Sequence, residues 1–245
     1  MAGLVLVFIL ATVALMLQVS VNNQAFADQK VTLDAKVKEA DGQKAAFDAQ
    51  VGVISQAEDV RAKILQEASA QLQANGIQVV VNPDSSVLSI PSQALGFKSG
   101  SYVVEPQFEA AATAVGRALS DVIRKDDRFK LLDTVFVEGH TDSVPFNGPL
   151  DMDNWGLSTF RAIALWKVWD QTLPSGSRPD TLMNAQNRPL FSVSGYADTR
   201  SIDGAPAGIA NFEGNRRIDI RITITRPSSA DLKKISREIG SGFKP

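Results

Sequence analysis

The polar residues best placed to do chemistry follow a short apolar run. Residues 138–142 read Glu-Gly-His-Thr-Asp, and strand ends of α/β sheets are where ligands usually bind. Farther on, Asn154 is a candidate N-cap of a helix in which Arg161 lies about two turns in. An Asp142 carboxylate beside an Arg161 guanidinium would suit a zwitterion, because the first accepts from an ammonium and the second binds a carboxylate. Spacing alone leaves open a purely structural Asp–Arg salt bridge.

Other chemistries have weaker support in the sequence. The chain has no cysteine, which excludes disulfides, zinc–thiolate sites and thiol catalysis. His140 is the only histidine, so a metal site there would need the oxygens of Glu138 and Asp142. A hydrolase using Ser194 lacks the flanking glycine of a nucleophile elbow. We therefore expect no metal, no cofactor and no enzymatic activity.

Period-2 and helical patterns predict the elements that position these residues. The last strand has isoleucine at every second position, which predicts one buried and one wet face. The order of the elements predicts an α/β sandwich, with helices packed on a mixed sheet. The predicted strands are 77–81, 87–90, 131–138, 191–195 and 218–224, and the predicted helices are 105–123 and 157–173.

The N-terminal segment differs sharply from the rest of the chain. Residues 1–21 carry no charge and would span about 30 Å as a helix, which is the thickness of a bilayer core. A signal peptide cleaved after residues 25–27 is the alternative. The missing basic n-region and the long apolar run favour a retained anchor. A net charge of −2 gives no positive field with which to hold nucleic acid.

Residues 22–76 are mostly polar, contain no proline and follow helical spacing. Their apolar stripe, with Phe47, Val51, Ile54 and Leu65, is thin, because Glu58 and Arg61 interrupt it. Both a solvated linking helix and a short parallel coiled coil of two copies therefore remain open. Either would form a stalk on the order of 70 Å long. Residues 227–245 are predicted to be a polar tail.

Four motifs carry a family resemblance, in the order GHTD, NWGLSTFRA, SGYAD and NRRIDIRI. Together they resemble the OmpA/MotB-type peptidoglycan-binding domain over about residues 77–226. The resemblance implies an OmpA-C-like two-layer α/β sandwich, preceded by a single transmembrane helix and a helical stalk. It also implies binding of the peptidoglycan stem peptide without cleavage.

Specific positions match the family motifs. The resemblance implies that Asp142 binds diaminopimelate with Arg161 as its partner. It also implies that Asn154 and Leu157 line that pocket and that Arg216 supports it. Further supporting positions implied in the same way are Phe97, Gly139, His140, Thr141, Ser158 and Asn215.

The layout resembles MotB-like stator subunits, and most closely ZorB-type proteins of the Zorya anti-phage system. This implies a single-pass inner-membrane protein with a periplasmic C-terminal domain, a homodimer, and a multi-span MotA-like or ZorA-like proton-channel partner. The ion-carrying Asp of such spans would fall two residues before Met1. We therefore expect that the native start lies upstream or that this copy is inactive in ion transport. The alternative is a passive envelope tether, or a secreted periplasmic wall-binding protein, with no motor partner.

Overall fold

The computed structural model describes residues 2–149, 152–202 and 213–226, so the predicted tail at 227–245 lies outside the described residues. The chain divides into two compact units with a boundary between residues 52 and 53. The helices are α1 (Ala2–Ala74), α2 (Glu109–Arg124) and α3 (Asn154–Thr172). The strands are β1 (Val80–Val81), β2 (Val87–Pro91), β3 (Leu132–Gly139), β4 (Phe191–Gly195) and β5 (Arg217–Ile224).

The five strands form one mixed sheet in the order β1-β2-β5-β3-β4. The β3–β4 pair is parallel and is connected through α3, whereas the other pairs are antiparallel. The predicted α/β sandwich with a mixed sheet is therefore confirmed. The carboxyl ends of β3 and β4 lie side by side, and this is the edge at which the sequence analysis placed its polar residues.

The helices cover one face of the sheet. All four isoleucines of β5 are buried, as the alternation predicted, and Ile218, Ile220 and Ile222 share a core cluster with apolar side chains of α2 and α3. Trp169 of α3 is almost fully buried, and its indole nitrogen donates to the carbonyl of Ala112 at 2.7 Å. A methyl group on Gly116 would lie 2.5 Å from the Trp169 ring, so glycine allows α2 and α3 to approach closely.

The end of α1 belongs to the same core. Residues 22–76 were expected to form a stalk, whereas in the structure the second compact unit begins at residue 53. The reason is that the apolar stripe becomes wider toward the end of the helix, whereas Phe47, nearer its start, is 54% exposed. Fully buried members of this wider part are Ile64, Leu65, Ala68 and Leu72.

The first unit contains the apolar part of α1. Among the described residues, α1 is the one helix long and apolar enough to cross a membrane, judged by length and composition. The hydroxyl of Thr12 donates to the carbonyls of Phe8 and Ile9, so its polar group is satisfied within the helix. Such internal pairing is what a lipid environment requires of a polar side chain.

An ion-pair cluster joins α1 to the segment between α2 and β3. Glu67 accepts from Arg128 at 2.8 Å and from Lys125 at 3.2 Å. The hydrogen bond from Arg128 lowers the pKa of Glu67 from 4.5 to about 2. A carboxyl group with a depressed folded pKa stabilises the protein above its unfolded pKa and loses that contribution as the pH falls. The cluster should therefore weaken between pH 4.5 and about 2.

We expect Glu67→Gln to lower the stability at pH 6 and to flatten its decline below pH 4.5, because the variant has no carboxyl group to titrate. Urea denaturation of the full chain in detergent at several pH values measures both effects. Glu58→Gln, an exposed change on the same helix, serves as the control. If the free energy of unfolding depends on pH in the same way in both variants, Glu67 is not the group whose titration weakens the cluster.

Candidate functional site

A close contact fixes α3 against the end of β3. A Cβ atom on Gly139 would lie 1.8 Å from the carbonyl oxygen of Ser158, so the two backbones meet where only glycine fits. The hydroxyl of Ser158 accepts from the backbone N–H of Ala197 at 3.0 Å. The first turns of α3 are thereby held at the carboxyl ends of both β3 and β4.

Backbone hydrogen bonds continue past the end of β3 and set the position of Asp142. The N–H of His140 donates to the carbonyl of Arg217 at 3.0 Å, and that of Thr141 donates to Ala197 at 2.8 Å. This register brings Arg216, the residue before β5, next to Asp142. The buried Asp142 carboxylate accepts from Arg216 at 2.7 Å.

Arg161 enters the same region from α3 and is only 1% exposed. Its Nε donates to the carbonyl of Ser101 at 2.9 Å and its Nη2 to that of Lys98 at 3.1 Å. Its guanidinium carbon lies 5.7 Å from the centre of the Phe97 ring. Its Nη1 is buried and has no hydrogen-bond partner among the described residues. One buried donor group of this arginine is therefore left for a ligand.

The predicted pair of Asp142 and Arg161 needs refinement. The two side chains line one cavity, but the direct ion-pair partner of Asp142 is Arg216, which the sequence analysis treated as a supporting residue. Burial lowers the pKa of Arg161 to about 10, with Asp142 raising it and Arg216 lowering it. At neutral pH Arg161 still carries its charge.

The cavity has a volume of about 120 Å³ and combines charged groups with an apolar wall. Its ionisable residues are one aspartate and two arginines, which gives a net charge of +1 at neutral pH. The lining residues are Ser99, Gly100, Thr141, Asp142, Val144, Pro145, Phe146, Leu157, Arg161 and Arg216. Of the residues expected to contact the ligand, this set contains all except Asn154.

Asn154 acts on the loop that carries the apolar wall. Its side-chain amide donates to the carbonyl of Val144 at 3.1 Å and to that of Asp142 at 3.4 Å. The prediction that Asn154 is the N-cap of α3 is wrong, because the N-cap lies one residue earlier. Asp153 is the N-cap, because its carboxylate accepts from the N–H groups of Trp155 and Gly156.

Asn215 orders the segment before β5. Its side-chain oxygen accepts from the N–H of Ile202 at 3.0 Å, and its amide donates to the hydroxyl of Ser201 at 3.4 Å. Arg216 also pairs with Glu213 at 3.3 Å. These contacts orient the start of β5 and hold the Arg216 guanidinium at the cavity.

Next to the cavity, the structure brings Glu138 and His140 together with Asp219. Their ligand atoms lie within 4.8 Å of one another. Both carboxylates already accept from guanidinium groups, Glu138 from Arg221 at 2.9 Å and Asp219 from Arg217 at 3.1 Å. Two negative and two positive charges cancel, so this donor set suits a buried ion-pair network better than a divalent cation. The metal set that the sequence analysis considered and rejected had Asp142 in the place of Asp219.

The prediction that one face of β5 meets solvent is wrong at Arg217 and Asp219. Asp219 is 4% exposed and Arg217 is 8% exposed, although the strand pattern predicted that this face would meet solvent. The physical reason is pairing across the sheet, since Ser89 donates to Asp219 at 2.6 Å and His140 lies 3.1 Å from it. Alternation shows which side chains share a face, but it does not show whether that face is covered.

Sequence reasoning also missed the apolar wall of the cavity. Val144, Pro145 and Phe146 form an apolar triplet between Ser143 and Asn147, which is the signal that could have identified them. Gly100 has a φ of +67°, and a Cβ atom there would contact the Phe146 ring at 3.7 Å. The loops at residues 98–101 and 143–149 thus face each other across the cavity.

No protein-family model matches the sequence, and no curated protein matches it. Solved structures with a similar fold include the cell wall anchor of the T6SS from Pseudomonas aeruginosa. It is 22% identical over 67% of this chain and 99% of that chain, with a TM-score of 0.44. The periplasmic domain of Helicobacter pylori MotB is 23% identical over 65% of this chain and 87% of that chain, with a TM-score of 0.44. These are similarities of fold alone.

Proposed function

We propose that the cavity binds the free amino-acid end of a diaminopimelate-type stem peptide, and that the chain thereby binds peptidoglycan non-covalently. The observation that carries the proposal is the buried, unpaired Nη1 of Arg161 in a cavity that also contains the Asp142 carboxylate. A zwitterionic head group satisfies both, with its carboxylate on Arg161 and its ammonium on Asp142. A buried donor without an acceptor is costly, so occupation of the site is favourable.

The apolar wall fits the rest of such a ligand. A diaminopimelate side chain carries its charged end on a methylene stem, and Leu157 with Val144 and Phe146 presents apolar surface beside the charged groups. Burial of methylene groups there contributes about 0.8 kcal/mol each. The function is one of binding, and no hydrolytic step is part of it.

In the wider proposal, α1 anchors the chain in the inner membrane as a single span, with the sheet domain in the periplasm. The chain then acts as the wall-binding subunit of an ion-driven MotA/MotB-like complex such as a Zorya defence motor. It forms a homodimer and pairs with a multi-span channel protein. The apolar part of α1 and the order of the four sequence motifs support this arrangement. Copurification of a multi-span partner distinguishes it from a passive tether.

We expect Asp142→Ala and Arg161→Ala each to abolish cosedimentation of the full chain with purified sacculi of the diaminopimelate type. Each change removes one of the two charges that the ligand needs, and a lost charged hydrogen bond costs about 1.5–3 kcal/mol. Free meso-diaminopimelate should compete with the sacculi for the wild-type chain. Sedimentation with sacculi, followed by quantification of the bound fraction, measures all of these effects.

The exposed ion pair of Asp133 and Arg188, 3.6 Å apart, supplies matched controls. Asp133→Ala and Arg188→Ala make the same changes in charge away from the cavity and should leave binding unchanged. Circular dichroism and thermal melting establish that each variant is folded. Wild-type-like binding by folded Asp142→Ala and Arg161→Ala would refute the proposed pocket.

A further inference from the structure

The charge balance of the cavity bears on which chemical form of the ligand it accepts. We infer that the site selects head groups with a free carboxylate and discriminates against the corresponding carboxamide, so that amidated stem peptides bind poorly. This inference rests on the proposed function, because it concerns the same cavity. It adds a chemical distinction that depends on Arg161, Arg216 and Asp142.

Arg161 offers a ligand one buried donor group, Nη1. Two of its nitrogens are used by the carbonyls of Lys98 and Ser101, so the ligand meets only Nη1 and not the two-nitrogen fork. A carboxylate and a carboxamide each have an oxygen that can accept from Nη1. The two ligands therefore differ little in shape at this donor, and discrimination between them must come from their charge.

The charge of the occupied cavity differs between the two ligands. The empty cavity carries +1, from two arginines and one aspartate. A zwitterionic head group leaves the total at +1, whereas its amide is a cation and raises it to +2. Arg161 is 99% buried, so its charge is poorly screened by water and is sensitive to this difference.

The cavity offers few acceptors to the nitrogen of a carboxamide. Its two N–H groups would enter a region rich in donors, beside the guanidinium of Arg161. Both oxygens of Asp142 already accept, one from Arg216 and one from the N–H of Val144. The buried hydroxyl of Thr141 has no partner among the described residues and can either donate or accept, so it does not discriminate.

Three synthetic stem tripeptides, titrated against the full chain in detergent by calorimetry, test the inference. Their third residue is meso-diaminopimelate with a free carboxylate beside its side-chain amino group, the same residue with that carboxylate amidated, or lysine. Lysine has no carboxylate beside its side-chain amino group. We expect the free acid to bind roughly tenfold or more tightly than the amide, because its carboxylate forms an ion pair with the buried Arg161 guanidinium, whereas the amide oxygen accepts from Nη1 without balancing that charge. Lysine should bind about as weakly as the amide.

The outcomes separate the inference from the function on which it rests. Equal affinity for the acid and the amide would overturn the selectivity while leaving peptidoglycan binding intact. No binding of the acid would overturn the proposed function itself. Arg161→Gln should lower the affinity for the acid until it is close to the affinity for the amide. Melting curves establish that the variant is folded. The comparison of the three ligands on the wild-type chain decides the question even if that variant does not fold.

Discussion

The full chain carrying Asp219→Asn is expected to lose about 3–5 kcal/mol of its free energy of unfolding at neutral pH. The carboxylate is buried and accepts from Arg217 at 3.1 Å and from Ser89 at 2.6 Å, with His140 at 3.1 Å. Asparagine keeps the shape but removes the charge, so the buried Arg217 guanidinium is left without its counter-ion. Urea denaturation in detergent, followed by tryptophan fluorescence, measures the loss.

The pH dependence of the free energy of unfolding gives a second measure of the contribution of Asp219. Burial raises the pKa of Asp219, but the hydrogen bond from His140 and the charge of Arg217 outweigh it, so the pKa lies below its usual value of 3.8. The contribution of Asp219 is therefore complete above pH 4 and declines as the pH falls toward the folded pKa. The difference in free energy of unfolding between wild type and Asp219→Asn should become smaller over the same pH range.

Asp133→Asn is the matched control for this change. Its carboxylate is half exposed and lies 3.6 Å from Arg188, which is also exposed. Exposed pairs of this kind contribute about 0–1 kcal/mol, so a small effect is expected. If Asp219→Asn is as mild as Asp133→Asn, the buried network does not stabilise the sheet as described.

The second large effect is expected for Gly139→Ala. The new methyl group would lie 1.8 Å from the Ser158 carbonyl oxygen, and a backbone atom cannot move aside as a flexible side chain can. β3 and α3 must then separate, and we expect a loss of about 3 kcal/mol or more, at the upper end of overpacking effects. Gly139 is three residues before Asp142, so sacculus binding should also fall in whatever fraction remains folded.

Thermal melting and sacculus cosedimentation, performed on the same preparations, test this expectation. Gly52→Ala is the control, because an added Cβ there meets nothing within 4 Å. Gly52 is in a helix, where alanine is favoured by up to about 1 kcal/mol, so this variant should be at least as stable as wild type. A Gly139→Ala variant with wild-type melting and binding would show that the contact is not restrictive.

The sheet and its helices were predictable because their signals are local. The isoleucine alternation of β5 and the helical spacing before Arg124 lie within single elements and need no partner to be recognised. The core contribution of α1 was missed for a related reason. A short stripe near Leu65 has the same appearance whether or not another element covers it, and the covering elements come later in the chain.

The candidate site was predictable only in part. Asp142 and Arg161 were identified by residue type and motif, and the structure brings both to one cavity. The direct pair of Asp142 and Arg216 depends on the register between β3 and β5, in which His140 bonds to Arg217. Register between residues 74 positions apart in the chain is a property of the assembled sheet, and no local pattern encodes it.

The two backbone carbonyls that hold Arg161 have a consequence for the thermodynamics of binding. A long side chain that becomes ordered on association loses about 0.5–1.5 kcal/mol of conformational entropy. The Arg161 guanidinium is already fixed by Lys98 and Ser101, so this ordering belongs to folding and not to ligand capture. The cavity is therefore preorganised, and its shape should change little when the proposed ligand binds.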